Sequence, residues 1–121
     1  MRPNIITKPW GWEEIWGDVP GKYLGKTIHI NMNNFLPLQY NKEKEETIYV
    51  MRGVLTLVTK ELQTIDNRMP NKELFNTKQK LGPGECFHIE AGKIHRFHAD
   101  KGDVALVKVS TYHLNDTVTL S

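Results

Sequence analysis

Short runs of alternating apolar and polar residues recur along this chain, each closed by turn residues. In the clearest run, residues 26–32, the side chains of Ile28, Ile30 and Met32 fall on one face. The chain has only three alanines, whereas Ile, Val and Thr are frequent, so a helical bundle is disfavoured. The pattern therefore predicts an all-β protein, built as a small antiparallel β-barrel or sandwich.

Size and charge exclude several classes of protein. The 121 residues are enough for one hydrophobic core, so we expect a single domain over 1–121. The net charge of +2 is too small to indicate a nucleic acid or an anionic membrane as partner. No apolar run approaches the length of about 18 residues that a membrane span needs, and the N-terminus does not resemble a signal peptide. We therefore expect a cytoplasmic protein, in which the single cysteine, Cys86, is buried and inert.

Three further expectations concern how the strands are connected. The short Arg52-Gly53 link predicts a hairpin between the runs on either side of it. Residues 35–40 are expected to form one strand. The polar stretch 61–78 predicts a long connecting segment with one weak strand or turn.

Two segments carry a resemblance to a known family. Residues 39–53 hold a polar cluster, then Glu46, an apolar strand and Gly53. Residues 84–95 hold a glycine, a strand, Gly92 and then His95. The first segment resembles the first cupin motif, and the second resembles the second motif, except that Glu90 stands where the family usually has proline. The resemblance implies a jelly-roll barrel with a metal or sugar site inside its mouth.

A narrower resemblance comes from other parts of the chain. Lys8-Pro9-Trp10-Gly11-Trp12-Glu13-Glu14 and Leu36-Pro37-Leu38-Gln39-Tyr40 look like segments of mannose-6-phosphate isomerase domains. Such domains often form the C-terminal part of bifunctional enzymes that also carry mannose-1-phosphate guanylyltransferase activity. Residues 112–120 resemble the closing stretch of these domains, but Thr119 takes the position of an arginine. The resemblance implies carbohydrate metabolism and a sugar or sugar phosphate as small-molecule partner.

The resemblance also implies a set of metal ligands. The isomerase pattern of Gln-x-His, then Glu, then a distant His falls on Gln39, Asn41, Glu46 and His95. Asn41 replaces the middle histidine, and a carboxamide oxygen is a harder ligand than an imidazole. We expect either a single divalent metal (Zn, Mn or Fe) or a hydrogen-bonded polar network of the same residues without an ion. Glu43, two residues beyond Asn41, could add a carboxylate.

Aldose–ketose isomerisation needs a base, an electrophile for the enediolate, and a cation for the phosphate. The candidates for proton transfer and catalysis are His95, Glu46 and His88, with His29 as a further candidate. The candidates for the phosphate-binding cation are Lys26, Lys93 and Arg96.

The sequence leaves two functions open. One is a sugar-phosphate isomerase of the mannose-6-phosphate/fructose-6-phosphate type, or one acting on a related sugar phosphate. The other is a degenerate cupin that binds a sugar or nucleotide sugar without turnover, or regulates a nucleotidyltransferase; Asn41 and Thr119 favour it. A cupin oxygenase ranks last, because such enzymes commonly need more imidazole ligands. The resemblance further implies a homodimer paired through sheet edges.

Overall fold

The structure is a computed structural model that describes residues 1–62 and 74–120. Within these residues the chain forms strands and no helix. The strands are β1 (Asn4–Lys8), β2 (Gly11–Val19), β3 (Tyr23–Ile30), β4 (Asn34–Phe35), β5 (Gln39–Asn41), β6 (Glu46–Arg52), β7 (Leu55–Leu62), β8 (Leu74–Leu81), β9 (Cys86–Ile89), β10 (Ile94–Ala99), β11 (Val104–Thr111) and β12 (Thr117–Thr119). The all-β prediction is confirmed. None of the described residues belongs to a helix that could span a membrane.

The strands form two antiparallel sheets that make a jelly-roll barrel. The first sheet has the order β1-β2-β3-β11-β6-β9, and the second has the order β12-β5-β10-β7-β8, with β4 paired to β10. The register places Glu46 of β6 beside Ser110 of β11, and Gln39 of β5 beside His95 of β10. The first sheet therefore supplies Glu46 to the barrel interior, and the second sheet supplies His95.

The core lies between the inner faces of the two sheets. Burial alternates along β6 and β10, so that every second side chain points inward. Such alternation is the geometric consequence of the pleated strand. The inward apolar side chains are Ile28, Ile30, Ile48, Val50, Leu55, Leu57, Ile89, Phe97 and Leu106. Burying side chains of this size stabilises the fold by about 1.5–3 kcal/mol each before entropy is counted.

The expected hairpin at Arg52-Gly53 is wrong. β6 pairs with β11 and β9 in the first sheet, whereas β7 pairs with β10 and β8 in the second. The chain therefore crosses between the sheets at this point. Gly53 has a φ of +81°, and a Cβ there would collide with the backbone carbonyl of Asp103. Only glycine combines this backbone conformation with such a close approach.

Other strand expectations differ in detail. The single strand expected over 35–40 is two short strands, β4 and β5, separated by Leu36, Pro37 and Leu38. Proline has no N–H to donate to a ladder, which accounts for the break. The connecting segment expected over 61–78 starts within β7 and finishes within β8, and its middle lies outside the described residues.

Candidate functional site

A chain of hydrogen-bonded polar side chains leads from the buried Glu46, through the buried Asn41, to the exposed Thr117. Glu46 is the first residue of β6 and shares its inward face with Ile48 and Val50. The amide nitrogen Nδ2 of Asn41 donates to Oε1 of Glu46 at 2.7 Å. The hydroxyl of Thr117 in turn donates to Oδ1 of Asn41 at 2.6 Å. Both ends of the Asn41 amide therefore have a hydrogen-bond partner, Glu46 in the interior and the exposed Thr117.

Lys108 provides the counter-charge for Glu46. Its Nζ lies 2.9 Å from Oε2 of Glu46, and both side chains are buried. Burial alone would raise the pKa of Glu46, but the charge and hydrogen bond of Lys108 outweigh it and lower that pKa to about 2. Glu46 is therefore a carboxylate throughout the physiological range. Its two oxygens are bound to two different donors, the Asn41 amide and the Lys108 ammonium.

His95 enters the same cluster from the opposite sheet. Its Nδ1 donates to the backbone carbonyl of Lys93 at 2.9 Å, which leaves Nε2 as the unprotonated nitrogen of a neutral ring. Nε2 is buried, has no hydrogen-bond partner among the described residues, and lies 3.8 Å from Oε1 of Glu46. Burial lowers the pKa of His95 from its usual 6.5, so the ring stays neutral at pH 7. Its lone pair therefore faces a carboxylate that is already bound on both oxygens.

A pocket of about 620 Å³ opens above this cluster. Basic, acidic, aromatic and hydroxyl side chains line it, among them Lys8, Lys26, Lys44, Lys108, Glu13, Trp10, Phe35, Gln39, Thr117 and Thr119. Its volume lies within the range of small-molecule sites, which is about 300–1,000 Å³. The combination of several lysines with few acids makes the pocket a positively charged cavity.

The inner face of the first sheet carries a row of four charged side chains, Glu13, Lys26, Lys108 and Glu46. Lys26 of β3 and Lys108 of β11 are directly opposite each other in the strand register. Each lysine is paired with its own carboxylate: Nζ of Lys26 lies 3.1 Å from Oε1 of Glu13, and Lys108 holds Glu46. Like charges at directly opposed positions repel each other, so the two carboxylates are needed to hold the lysines side by side. The result is two ammonium groups next to each other in the wall of the pocket.

Burial changes the proton affinity of the pocket lysines. Burial and the facing charge of Lys108 lower the pKa of Lys26 from its usual 10.5 to about 8, although Glu13 acts in the other direction. The pKa of Lys44 is also lowered, first by burial and then by the charge of Lys108. An anion in the pocket would offset both effects, because it stabilises the protonated lysines.

The structure brings together three of the four predicted metal ligands. Asn41, Glu46 and His95 converge inside the barrel, and Gln39 sits beside His95 in the strand register and lines the pocket. The role of these residues stays a prediction. Glu43 does not join them, because its largely exposed carboxylate faces His113 at 3.4 Å.

These residues do not fit a divalent ion. Asn41 presents its N–H side to Glu46, and the Lys108 ammonium occupies the other carboxylate oxygen. Two unit charges about 4 Å apart interact by about 4 kcal/mol at the effective dielectric of a protein, and a divalent ion doubles that repulsion from Lys108. Among the described residues, no group of three His, Cys, Asp or Glu side chains could hold a metal. The bonding corresponds instead to the alternative expectation of a hydrogen-bonded polar network.

The structure does not bring His88 to the pocket. His88 lies on the outer face of the first sheet, where its Nε2 is 3.1 Å from Oε1 of Glu45 and its Nδ1 is 3.2 Å from the Thr47 hydroxyl. His29 is also on an outer face, stacked on the ring of Trp12 at 4.3 Å. Cys86 is exposed, contrary to the expectation of a buried thiol.

Of the three predicted phosphate ligands, only Lys26 lines the pocket. Arg96 points outward from β10 and lies over the ring of Phe35 at 4.9 Å. Lys93 has its Nζ 5.9 Å from the centre of the Phe87 ring. The outward direction of the Arg96 side chain follows from strand alternation, because Arg96 is next to the inward-pointing His95.

Sequence reasoning missed Lys108, Lys44, Glu13 and Thr117 as residues of the site. The one available signal was at Lys108, which interrupts the apolar run from Val104 to Val109. A charged residue within such a run is a candidate for a buried, paired position. Lys44 and Glu13 lie in charged or aromatic segments where no pattern distinguishes them from solvated residues.

Comparisons with known proteins agree on the fold. No protein-family model and no curated protein sequence matches the chain. Similar solved structures include the capsular polysaccharide assembling protein CapF from Staphylococcus aureus, with a TM-score of 0.79 at 13% identity over 98% of this chain. KdgF from Halomonas sp. has a TM-score of 0.70 at 14% identity, covering 93% of this chain and 88% of its own. These are cupin-fold proteins. The chain has the cupin fold.

The same comparisons do not decide the function. Oxalate decarboxylase from Bacillus subtilis also superimposes, with a TM-score of 0.74 at 14% identity over 98% of this chain and 30% of its own. The chain spans about a third of the length of CapF, 34% of it. Proteins with different names and activities share this fold, so the function must be argued from the pocket. None of these three structures is a mannose-6-phosphate isomerase, and that narrower resemblance stays a prediction.

Proposed function

We propose that the mouth of the barrel binds an anionic sugar derivative, in the first place a sugar phosphate. The observation that carries the proposal is the 620 Å³ pocket into which Lys26, Lys44 and Lys108 converge. Lysine ammonium groups are common phosphate ligands, and charge-assisted hydrogen bonds are about twice as strong as neutral ones. These lysines would match the charge of a phosphate in a pocket that is open to solvent on one side.

The remaining walls suit the rest of a sugar. Trp10 and Phe35 offer aromatic surface, and Gln39, Thr117 and Thr119 offer amide and hydroxyl groups. Sugar rings combine apolar C–H faces with hydroxyl edges, which these two kinds of wall complement. CapF is described as assembling a capsular polysaccharide, and this supports a carbohydrate setting for the fold without identifying the ligand.

A second candidate function is aldose–ketose isomerisation of the mannose-6-phosphate/fructose-6-phosphate type. The observation that favours it is Glu13, a carboxylate that lines the pocket 3.1 Å from the Lys26 ammonium. A carboxylate can take the proton next to a carbonyl, and an adjacent ammonium can stabilise the enediolate oxygen. Glu46 is less suited to be the base than the sequence suggests, because both of its oxygens are engaged.

Titration calorimetry with mannose 6-phosphate, fructose 6-phosphate, free mannose and inorganic phosphate tests the proposal. We expect the sugar phosphates to bind and free mannose not to bind. Lys26→Met should weaken binding about tenfold or more, because it removes a charge-assisted hydrogen bond. Lys101→Met is the matched control, since Lys101 is exposed in the turn before β11 and does not line the pocket. Absence of binding by every phosphorylated sugar would contradict the proposal.

The same samples separate the two candidate functions. Conversion of mannose 6-phosphate followed by NMR, abolished in Glu13→Gln while binding persists, would establish the isomerase. Binding without conversion would favour a protein that binds the sugar phosphate without turnover.

The homodimer implied by the family resemblance stays a proposal. The edge strand β1 supports it, because Ile5 and Ile6 are exposed there, 61% and 36%. An uncovered edge strand offers unpaired N–H and C=O groups to a second copy. Light scattering on the wild type and on Ile6→Lys tests it: a dimer that becomes a monomer in the variant is expected, and a wild-type monomer overturns it.

A further inference from the structure

The cation inside this barrel is part of the chain itself. The Lys108 ammonium binds Oε2 of Glu46 at 2.9 Å, in the middle of the residues that the sequence predicts as metal ligands. Both groups are buried, so solvent screens this charge only weakly. Because Lys108 comes from β11, between β3 and β6, the strand order fixes its position beside Glu46.

The other groups around Glu46 face a carboxylate whose charge Lys108 already neutralises. Asn41 gives its N–H side to Oε1, and Thr117 donates to the Asn41 oxygen. His95 keeps an Nε2 lone pair, unpaired among the described residues, 3.8 Å from Oε1. One carboxylate and one neutral imidazole are thus in place for a metal, and only the polarity of Asn41 and the charge of Lys108 oppose it.

We infer that Lys108 is a tethered substitute for a divalent metal, and that removing its charge turns the Glu46–His95 cluster into a metal site. Without Lys108, Oε2 of Glu46 loses its donor and becomes a free anionic ligand beside the His95 nitrogen. The Asn41 amide can then rotate to offer its oxygen, because the Thr117 hydroxyl can accept a hydrogen bond as well as donate one. Carboxylate, imidazole and amide oxygen together suit Mn²⁺, Ni²⁺ or Zn²⁺. This inference goes beyond the proposed sugar-phosphate binding and does not depend on it.

The experiment compares metal content in variants of Lys108. The full chain is purified without chelator, incubated separately with Mn²⁺, Ni²⁺ and Zn²⁺, desalted, and analysed by mass spectrometry for metal per chain. Lys108→Met and Lys108→Gln remove the charge at similar side-chain length. Lys108→Arg keeps the charge and is the matched control. Each folded variant is also titrated with Co²⁺, because the absorption spectrum reports the ligands around the ion.

We expect the wild type and Lys108→Arg to retain no stoichiometric metal, and the two neutral variants to approach about one ion per chain. Their affinity should exceed that of the wild type by about tenfold or more. Adding His95→Ala to Lys108→Met should abolish the gain. If the neutral variants are unfolded without metal, we expect Zn²⁺ or Ni²⁺ to restore their circular dichroism spectrum, because metal binding is coupled to folding.

Three results would overturn the inference. The first is a wild type that holds about one ion per chain and loses it in His95→Ala. The second is a pair of folded neutral variants that bind no more metal than the wild type does. The third is a pair of unfolded neutral variants that no metal restores.

Discussion

Two histidine–glutamate pairs lie on opposite sides of the first sheet, and their glutamates are neighbours in the sequence. Inside the barrel, Glu46 and His95 have side chains that are each 1% exposed. Outside, Glu45 and His88 are 42% and 52% exposed, with Nε2 and Oε1 only 3.1 Å apart. The distance between Nε2 and Oε1 is shorter in the outer pair, 3.1 Å against 3.8 Å. In the inner pair the pKa values of both residues are lowered, that of Glu46 by Lys108 against the effect of burial and that of His95 by burial.

Burial accounts for this difference. Water and salt screen the exposed pair, so its net contribution is small. In the buried pair, His95 is neutral, and Glu46 stays ionised because Lys108 lies 2.9 Å away. Removing one member of a buried ion pair leaves the other charge uncompensated, which costs far more than the pair gains. The comparison therefore predicts unequal effects for equivalent substitutions on the two faces.

The largest effect is expected at Glu46. Glu46→Ala leaves the Lys108 ammonium and the Asn41 amide without their acceptor inside the barrel, so the free energy of unfolding should fall by about 3–5 kcal/mol. Urea unfolding followed by circular dichroism measures this. Glu45→Ala is the matched control, because it removes the neighbouring carboxylate on the outer face, and its effect should be clearly smaller. Equal losses of unfolding free energy in the two variants would show that burial does not make the inner pair more important for stability than the outer pair.

Acid should expose the same asymmetry. The pKa of Glu46 is lowered from its usual 4.5 to about 2, by the charge and hydrogen bond of Lys108 acting against burial. A carboxyl whose pKa is lower in the folded state contributes stability that is present above pH 4.5 and is lost as the pH falls towards 2. The loss amounts to about 3 kcal/mol.

Urea unfolding at intervals between pH 5 and pH 2 measures that loss. In Glu46→Gln the slope of stability against pH should be smaller by close to one proton, whereas Glu45→Gln should retain more of the wild-type slope. A slope unchanged in Glu46→Gln would mean that Lys108 does not hold the carboxylate in its charged form.

Lys26 extends the comparison to the alkaline side. Burial and the charge of Lys108 lower its pKa from 10.5 to about 8, so between these values the unfolded chain binds more protons than the folded one. Stability should therefore gain about 3 kcal/mol from Lys26 as the pH rises through this window. Below pH 8 the lysine is charged in both states and its effect is constant.

Urea unfolding between pH 7.5 and 10.5 tests the Lys26 contribution, with Lys101→Met as the exposed-lysine control. Lys26→Met should remove the gain, and Lys101→Met should preserve it. A wild-type curve that matches the curve of Lys26→Met would show that Lys26 is solvated like a surface lysine.

Much of the fold could be predicted from the sequence, because alternation identifies strands and their faces. The inward parity of Glu46 with Ile48, and of His95 with Phe97, is confirmed by burial. The sheet to which each strand belongs could not be predicted in the same way. At Gly53 the crossing depends on a close approach to Asp103, far away in the sequence, and no local pattern reports such a contact.

The site could be predicted only in part, and Lys108 shows why. Val107 and Val109 flank it, so the local pattern favours an inward valine face and an outward lysine. In the structure the faces are reversed: Val109 is 43% exposed and Lys108 is buried. Lys108 has the same parity as the buried Val104 and Leu106, and β11 keeps a continuous register with β3, so the ordinary alternation of the strand places Lys108 inside. The partner that makes the burial acceptable, Glu46, lies on another strand.

The smallest effect is expected at His88, which the sequence predicts as a proton-transfer residue. Its ring is half exposed on the outer face, where it contacts Glu45 and Thr47. His88→Ala should therefore change the free energy of unfolding by no more than about 0.5 kcal/mol. Its affinity for mannose 6-phosphate should equal that of the wild type.

His95→Ala is the matched substitution on the inner face. It removes a buried ring together with the hydrogen bond to the Lys93 carbonyl, and should cost about 1–3 kcal/mol in the same urea experiment. If His88→Ala instead weakens sugar-phosphate binding as much as Lys26→Met does, the outer face takes part in the function. The ligand would then have to reach His88 by a route other than the pocket, and the division between an inner chemical face and an outer solvated face would fail.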